Sequence, residues 1–105
     1  MKSFEECIEA CLACLKACEI CATKNIELGE KELADCIKAC RDCADICNLC
    51  IKWLSRQSKS AEDLCVLCAK ICEACAITCD KHADMHEHCR RCAEACRRCA
   101  EACSK

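Results

Sequence analysis

Apolar positions in this chain recur three and four residues apart, and polar or charged residues fill most of the gaps between them. At the recurring positions the residue is cysteine, in four groups of five. These are Cys7, Cys11, Cys14, Cys18 and Cys21, then Cys36, Cys40, Cys43, Cys47 and Cys50, then Cys65, Cys68, Cys72, Cys75 and Cys79, then Cys89, Cys92, Cys96, Cys99 and Cys103. Steps of 4, 3, 4, 3 in the first two groups and 3, 4, 3, 4 in the last two average 3.5 residues. That is the period of a helix seam facing partner helices, so each group predicts one narrow stripe on one helix.

Four stripes predict four helices, near 4–27, 31–55, 61–81 and 85–103, within a single unit spanning 1–105. Ser3 with Glu6 and Asp84 with Glu87 have capping-box spacing at the first and fourth helix starts, and Ser60 is the expected cap of the third. Gly29 and the Ser-rich stretch 55–60 interrupt the pattern between groups. Connections this short make consecutive helices antiparallel, so the predicted fold is all-α, an up-down-up-down four-helix bundle with a Cys-lined core.

Antiparallel register then sorts the thiols into layers: Cys7/Cys50/Cys65/Cys103, Cys11/Cys47/Cys68/Cys99, Cys14/Cys43/Cys72/Cys96, Cys18/Cys40/Cys75/Cys92 and Cys21/Cys36/Cys79/Cys89. Such a stack would run for about 21 Å. Alanines flank it, at Ala10, Ala17, Ala39, Ala44, Ala69, Ala76, Ala93, Ala95, Ala100 and Ala102, and would let the helices approach. One more step along each seam gives Phe4, Leu54 and Ala61 at one end, an apolar plug. At the other it gives Asn25, Leu33, His82 and Met85, with His86 and His88 close by. Leu12, Ile20, Leu49, Val66, Leu67 and Ile77 lie off the seam, a hint of burial against another bundle, and Trp53 reads as a packing or oligomer contact.

Composition narrows the chemistry. The chain has 105 residues, one glycine, no proline and two aromatics, which disfavours sandwiches, barrels and small disulfide scaffolds. A net charge of −2, from sixteen basic and eighteen acidic residues, offers no basic face for nucleic acid. No apolar run is long enough to span a membrane, and residues 1–6 turn acidic at once, so a cytoplasmic location is expected. Thiols there are kept reduced. No Ser/His/Asp pattern, phosphate loop or isolated activated cysteine suggests catalysis, so the expectation is a protein that is not an enzyme.

Twenty seam positions occupied by one residue type do not read as ordinary packing, because cysteine alone fills a core poorly. Disulfides three or four apart along a helix rarely meet the required geometry. Metal ligation remains, and charge selects the metal. Five separate Zn(II) sites of four thiolates would carry −2 apiece, roughly −10 in total. One Cu(I) per thiolate leaves no net charge, and soft thiolates suit that ion. A metallothionein-like Zn or Cd sink and a thiol–disulfide redox protein are the alternatives.

The four Cys stripes, the His- and Met-bearing turn and the N-terminus without an export signal resemble the bacterial copper storage proteins in their cytosolic form. That resemblance covers essentially the whole chain. It implies storage of multiple Cu(I) ions on the twenty cysteines, admission of metal at the end bearing His82, Met85, His86 and His88, and assembly as a homotetramer. The implied partners are copper ions and a copper donor or acceptor protein, without nucleic acid or membrane.

Overall fold

A computed structural model of the chain describes residues 4–104. Four helices follow one another: α1 (Phe4–Leu28), α2 (Ala34–Ser55), α3 (Ala61–Asp80) and α4 (Glu87–Cys103), with a short 3-10 helix (Lys31–Leu33) leading into α2. Helix α1 packs on α2 and α4, and α3 packs on the same two, so the helices form a four-sided bundle of 41 × 18 × 17 Å. No strand occurs among the described residues, and no helix there is long and apolar enough to cross a membrane. The all-α bundle with a Cys-lined core is therefore as the 3.5-residue spacing predicts.

Burial follows the seam. All twenty cysteines are buried, none more than 3 % exposed. Beside them Ala44, Ala69, Ala76, Ala93, Ala95, Ala100 and Ala102 are buried, while Ala10, Ala17 and Ala39 are half-buried. Large aliphatics inside are few: Leu33 and Leu54 are fully buried, near opposite ends of the stack, and Ile46 is nearly so. Leu12, Ile20, Leu49, Val66, Leu67 and Ile77 all face outward as the seam requires, and Trp53 packs half-buried against the core.

Helix ends use local chemistry that composition did not advertise. Helix α1 stops where Gly29 adopts φ +66° and its N–H bonds the carbonyl of Asn25 at 3.2 Å, an αL cap. Helix α2 stops in a Schellman arrangement: the N–H of Ser58 bonds Trp53 O at 2.9 Å and that of Gln57 bonds Leu54 O at 3.1 Å. The left-handed position there is held by Gln57, at φ 53°, with no glycine available.

Two expected caps do not form. Helix α4 begins at Glu87 rather than 85, with His86 in extended conformation at its N-cap. Glu87 is thus the first helical residue, too early for a capping box with Asp84, and its carboxylate instead pairs with Arg90 and Arg91. Ser60 does occupy the N-cap of α3, but its hydroxyl caps nothing. Ser58 substitutes: its hydroxyl accepts the N–H of Ser60 and its carbonyl that of Ala61. The cap expected at Ser3 lies outside the described residues. On the outer face Arg90 also reaches Glu94 at 2.8 Å, while Arg97 crosses to Asp80 on α3.

Candidate metal centre

Each thiol is aimed inward because it sits on the seam of a helix with two packed neighbours, which leaves the bundle axis as its only free direction. In-layer approaches confirm the antiparallel register. Sulfur separations are 3.3 Å for Cys7–Cys103, 3.6 Å for Cys11–Cys99, 3.6 Å for Cys14–Cys43, 3.6 Å for Cys18–Cys92 and 3.2 Å for Cys36–Cys79. Spacing between layers is nearly as short: 3.8 Å for Cys18–Cys96, 3.7 Å for Cys40–Cys79, and 3.8 Å for Cys11–Cys103 and for Cys68–Cys72.

That equality changes the picture of flat, separate layers. Groups of four sulfurs lying within 4.8 Å of one another include Cys18/Cys40/Cys75/Cys92, which is an expected layer. Others straddle layers: Cys11/Cys68/Cys99/Cys103, Cys14/Cys47/Cys72/Cys99, Cys14/Cys18/Cys43/Cys96 and Cys21/Cys36/Cys40/Cys79. Cys14, Cys18, Cys40 and Cys99 each belong to two of these groups. The overlap arises because sulfurs of adjacent layers approach about as closely as sulfurs within one layer. The thiols form one continuous network.

Its electrostatics are those of a buried column of closely spaced thiols. Asn25 is the one buried polar side chain among the described residues, so no buried lysine or arginine offsets a thiolate. Burial, followed by the neighbouring Cys103, pushes the Cys65 thiol from 9.0 up to about 11. At the other end burial, then Cys36, pushes Cys89 to about 11 as well. Deeper in the stack the thiols hydrogen-bond one another, and those bonds raise some, as Cys14 does to Cys72, and lower others, as Cys21 does to Cys36 and Cys18 to Cys92. A soft cation arriving would replace the thiol protons.

The two ends differ as the seams predict, although by different residues at the top. Leu54 and Ala61 are buried and Phe4 half-buried at the closed end, where Cys7 donates to Ala102 O at 3.3 Å. At the other end Asn25 is fully buried one turn above Cys21. His88 meets it, with Nε2 2.7 Å from Asn25 Oδ1, and burial, with His86 and Lys24 nearby, lowers its pKa. The ring of His86 lies 5.3 Å from that of His88, and its Nε2 is 3.6 Å from Glu30.

Met85 is not in the seam. It is 80 % exposed, because α4 has not yet begun and extrapolating a helical step back to 85 has no helix to follow. His82 is half-buried in the α3–α4 turn, where its backbone bonds Cys79 O, Met85 N and His86 N. The imidazole linked to the thiols, through Asn25, is that of His88, which sequence spacing left beside the seam. The signal for it was Asn25: a polar residue four positions past Cys21, in the seam, requires a polar partner.

The family described as copper storage protein (Csp) matches residues 1–105. The chain belongs to that family. Its relatives include the "uncharacterized cysteine-rich protein YhjQ" of Bacillus subtilis (strain 168), 49% identical over 89 residues, covering 84% of this chain and 81% of that protein. The Cu(I)-bound copper storage protein BsCsp3 superposes with a TM-score of 0.90 at 47% identity, over 98% of this chain and 96% of the other. A cytosolic copper storage protein of Streptomyces lividans, solved with five coppers, has a TM-score of 0.90 at 42% identity, over 98% and 90% of the two chains. Within the copper storage family, the column described above occupies the same four-helix frame as those metal-loaded relatives.

Proposed function

We propose that this copper storage family member holds many Cu(I) ions on the thiolates of its twenty cysteines, limiting free copper and keeping it for later release. The carrying observation is the overlap of four-sulfur groups at Cys14, Cys18, Cys40 and Cys99. A sulfur common to two metal positions is a bridging ligand, and bridging lets one thiolate serve each Cu(I) on average. Isolated tetrahedral Zn(II) sites would need separate sets of four and would leave a large negative charge in an interior with no buried cation. Cu(I) accepts two or three sulfurs, and the 3.2–4.0 Å separations along and across the helices supply such sets everywhere in the column.

Metal is admitted at the Asn25/His88 end. Leu54, Ala61 and Phe4 would have to move at the other, whereas His88 offers an imidazole bonded to Asn25, which itself touches the sulfurs of Cys21 and Cys89. A cytosolic location is supported by the Streptomyces relative, which is described as cytosolic. Several bundles assemble through apolar surface such as the groove of Ile46, Leu49, Leu64, Leu67 and Ile71 between α2 and α3. The role is binding and release, not catalysis.

Anaerobic titration of the reduced protein with Cu(I) and, separately, with Zn(II) tests this reading, with metal counted per chain after desalting. Uptake of Cu(I) beyond half the thiol number, against weak Zn(II) uptake, is the expected result. Saturation by a handful of divalent ions with poor Cu(I) retention would establish a Zn or Cd sink instead.

A further inference from the structure

Among the described residues one side chain inside the bundle is neither thiol nor hydrocarbon: Asn25, 0 % exposed on the last buried turn of α1. A buried amide is costly unless its donor and acceptor are both used. Here both are. Nδ2 donates to the sulfur of Cys21 at 3.6 Å. Oδ1 lies 2.7 Å from Nε2 of His88 and also accepts from the thiol of Cys89 at 3.8 Å. Asn25 therefore joins α1 to α4 and ties one imidazole to two thiols of the outermost layer.

The chemistry of the imidazole follows from that contact. An amide oxygen only accepts, so the 2.7 Å contact requires the proton of neutral His88 to sit on Nε2. Nδ1 is then the ring nitrogen with a lone pair for a metal ion. The arrangement matches the way a metal-binding histidine is oriented through its other nitrogen, here by an asparagine that also contacts the neighbouring sulfur. We propose that Asn25 is a positioning residue of the mouth: it holds His88 over Cys21 and Cys89 as the Nε2–H tautomer, and thereby sets the rate at which Cu(I) passes between that imidazole and the thiolates. The proposal rests on the Cu(I)-storage reading above. Asn25 acts through His88 and the thiols it touches, and the store itself does not depend on it.

The test uses the full reduced chain, 15N-labelled at histidine. In the wild type a hydrogen-bonded ring N–H resonance of His88, slow to exchange with water, is expected at neutral pH. Asn25→Leu, similar in size but without polar atoms, should lose that resonance and slow Cu(I) transfer to and from a chromophoric chelator several-fold. Total Cu(I) bound should stay unchanged. Asn25→Asp keeps the acceptor and should keep the resonance. If leucine prevents folding, judged by circular dichroism, Asn25→Ala is read in the same way.

Absence of the resonance in the wild type, or its survival in the apolar variant, would overturn the positioning role. So would transfer in that variant at the wild-type rate or faster, the latter marking Asn25 as a stopper. Failure of the storage reading is separate and visible in the wild type alone, as poor total uptake of Cu(I).

Discussion

The sulfurs of Cys40 and Cys79 stand 3.7 Å apart although the helical register assigns them to different layers. Cys79 is also 3.2 Å from Cys36, its partner within a layer. A metal ion beside Cys79 therefore has neighbours along the axis as well as across it. The interior is one extended field of thiols, and its behaviour toward metal should be collective.

Capacity is the first consequence. Cu(I) bound per chain should exceed half of the twenty thiols and approach one per thiol, with about one proton released for each thiol that becomes a ligand. Metal analysis and a pH-stat record of the same titration check both numbers. Protons released in a ratio near four per metal would point to separate tetrathiolate sites.

Alkaline pH should weaken the two ends of the metal-free column, at Cys65 and Cys89. Cys65 and Cys89 are pushed up from 9.0 to about 11 in the fold by burial, so between those values the native state keeps protons that the unfolded chain has lost. Their contribution is complete below about pH 9 and disappears as pH rises through about 11, on the order of 2–3 kcal/mol for each such thiol. Helical signal followed from pH 7 to 12 should fall in the metal-free sample and hold in the Cu(I)-loaded one, whose ligands have already given up their protons. A flat profile for both would mean that Cys65 and Cys89 are not held protonated in the fold.

Stabilisation by metal should be large. Cysteine and alanine bury little hydrocarbon, and among the described residues Leu33, Leu54 and Ile46 are the only large aliphatics inside. A ligand that binds only the folded column raises its stability by mass action. Melting curves with and without Cu(I) measure the difference, and coincident curves would contradict the account.

The mouth residues can be ranked. His88→Ala should slow Cu(I) exchange with a chelator, because His88 adjoins Asn25 and the thiols. The pair His82→Ala and Met85→Ala should have little effect, since Met85 is 80 % exposed and His82 lies in the turn. The reverse order would return the role to the turn.

Backbone strain at the end of α2 gives a simpler test. Gln57 at φ 53° bears a left-handed conformation that costs an ordinary residue about 1 kcal/mol, so Gln57→Gly should raise the melting temperature of the metal-free protein. Gly29→Ala should lower it by a similar amount. A Cβ at Gly29 would meet no atom within 4 Å, so the cost there is purely torsional.

The spacing of the cysteines determined that there are four helices and that every thiol points inward, and the short connections between the groups that the helices alternate in direction. The reason is geometric: a 3.5-residue repeat defines a side of a helix wherever the helix happens to be. The plug was legible too, because Leu54 and Ala61 continue unbroken helical seams. The tertiary structure decided what depends on the relative height and rotation of helices. Close approach between layers merged the five expected layers into groups that overlap at Cys14, Cys18, Cys40 and Cys99. At the mouth, a repeat can be extrapolated only while the helix lasts; α4 starts at Glu87, so Met85 swings into solvent and His88 bonds Asn25 beside the outermost thiols. Its bond to Asn25 spans 63 residues of sequence, and only the packing of α1 against α4 brings the two together.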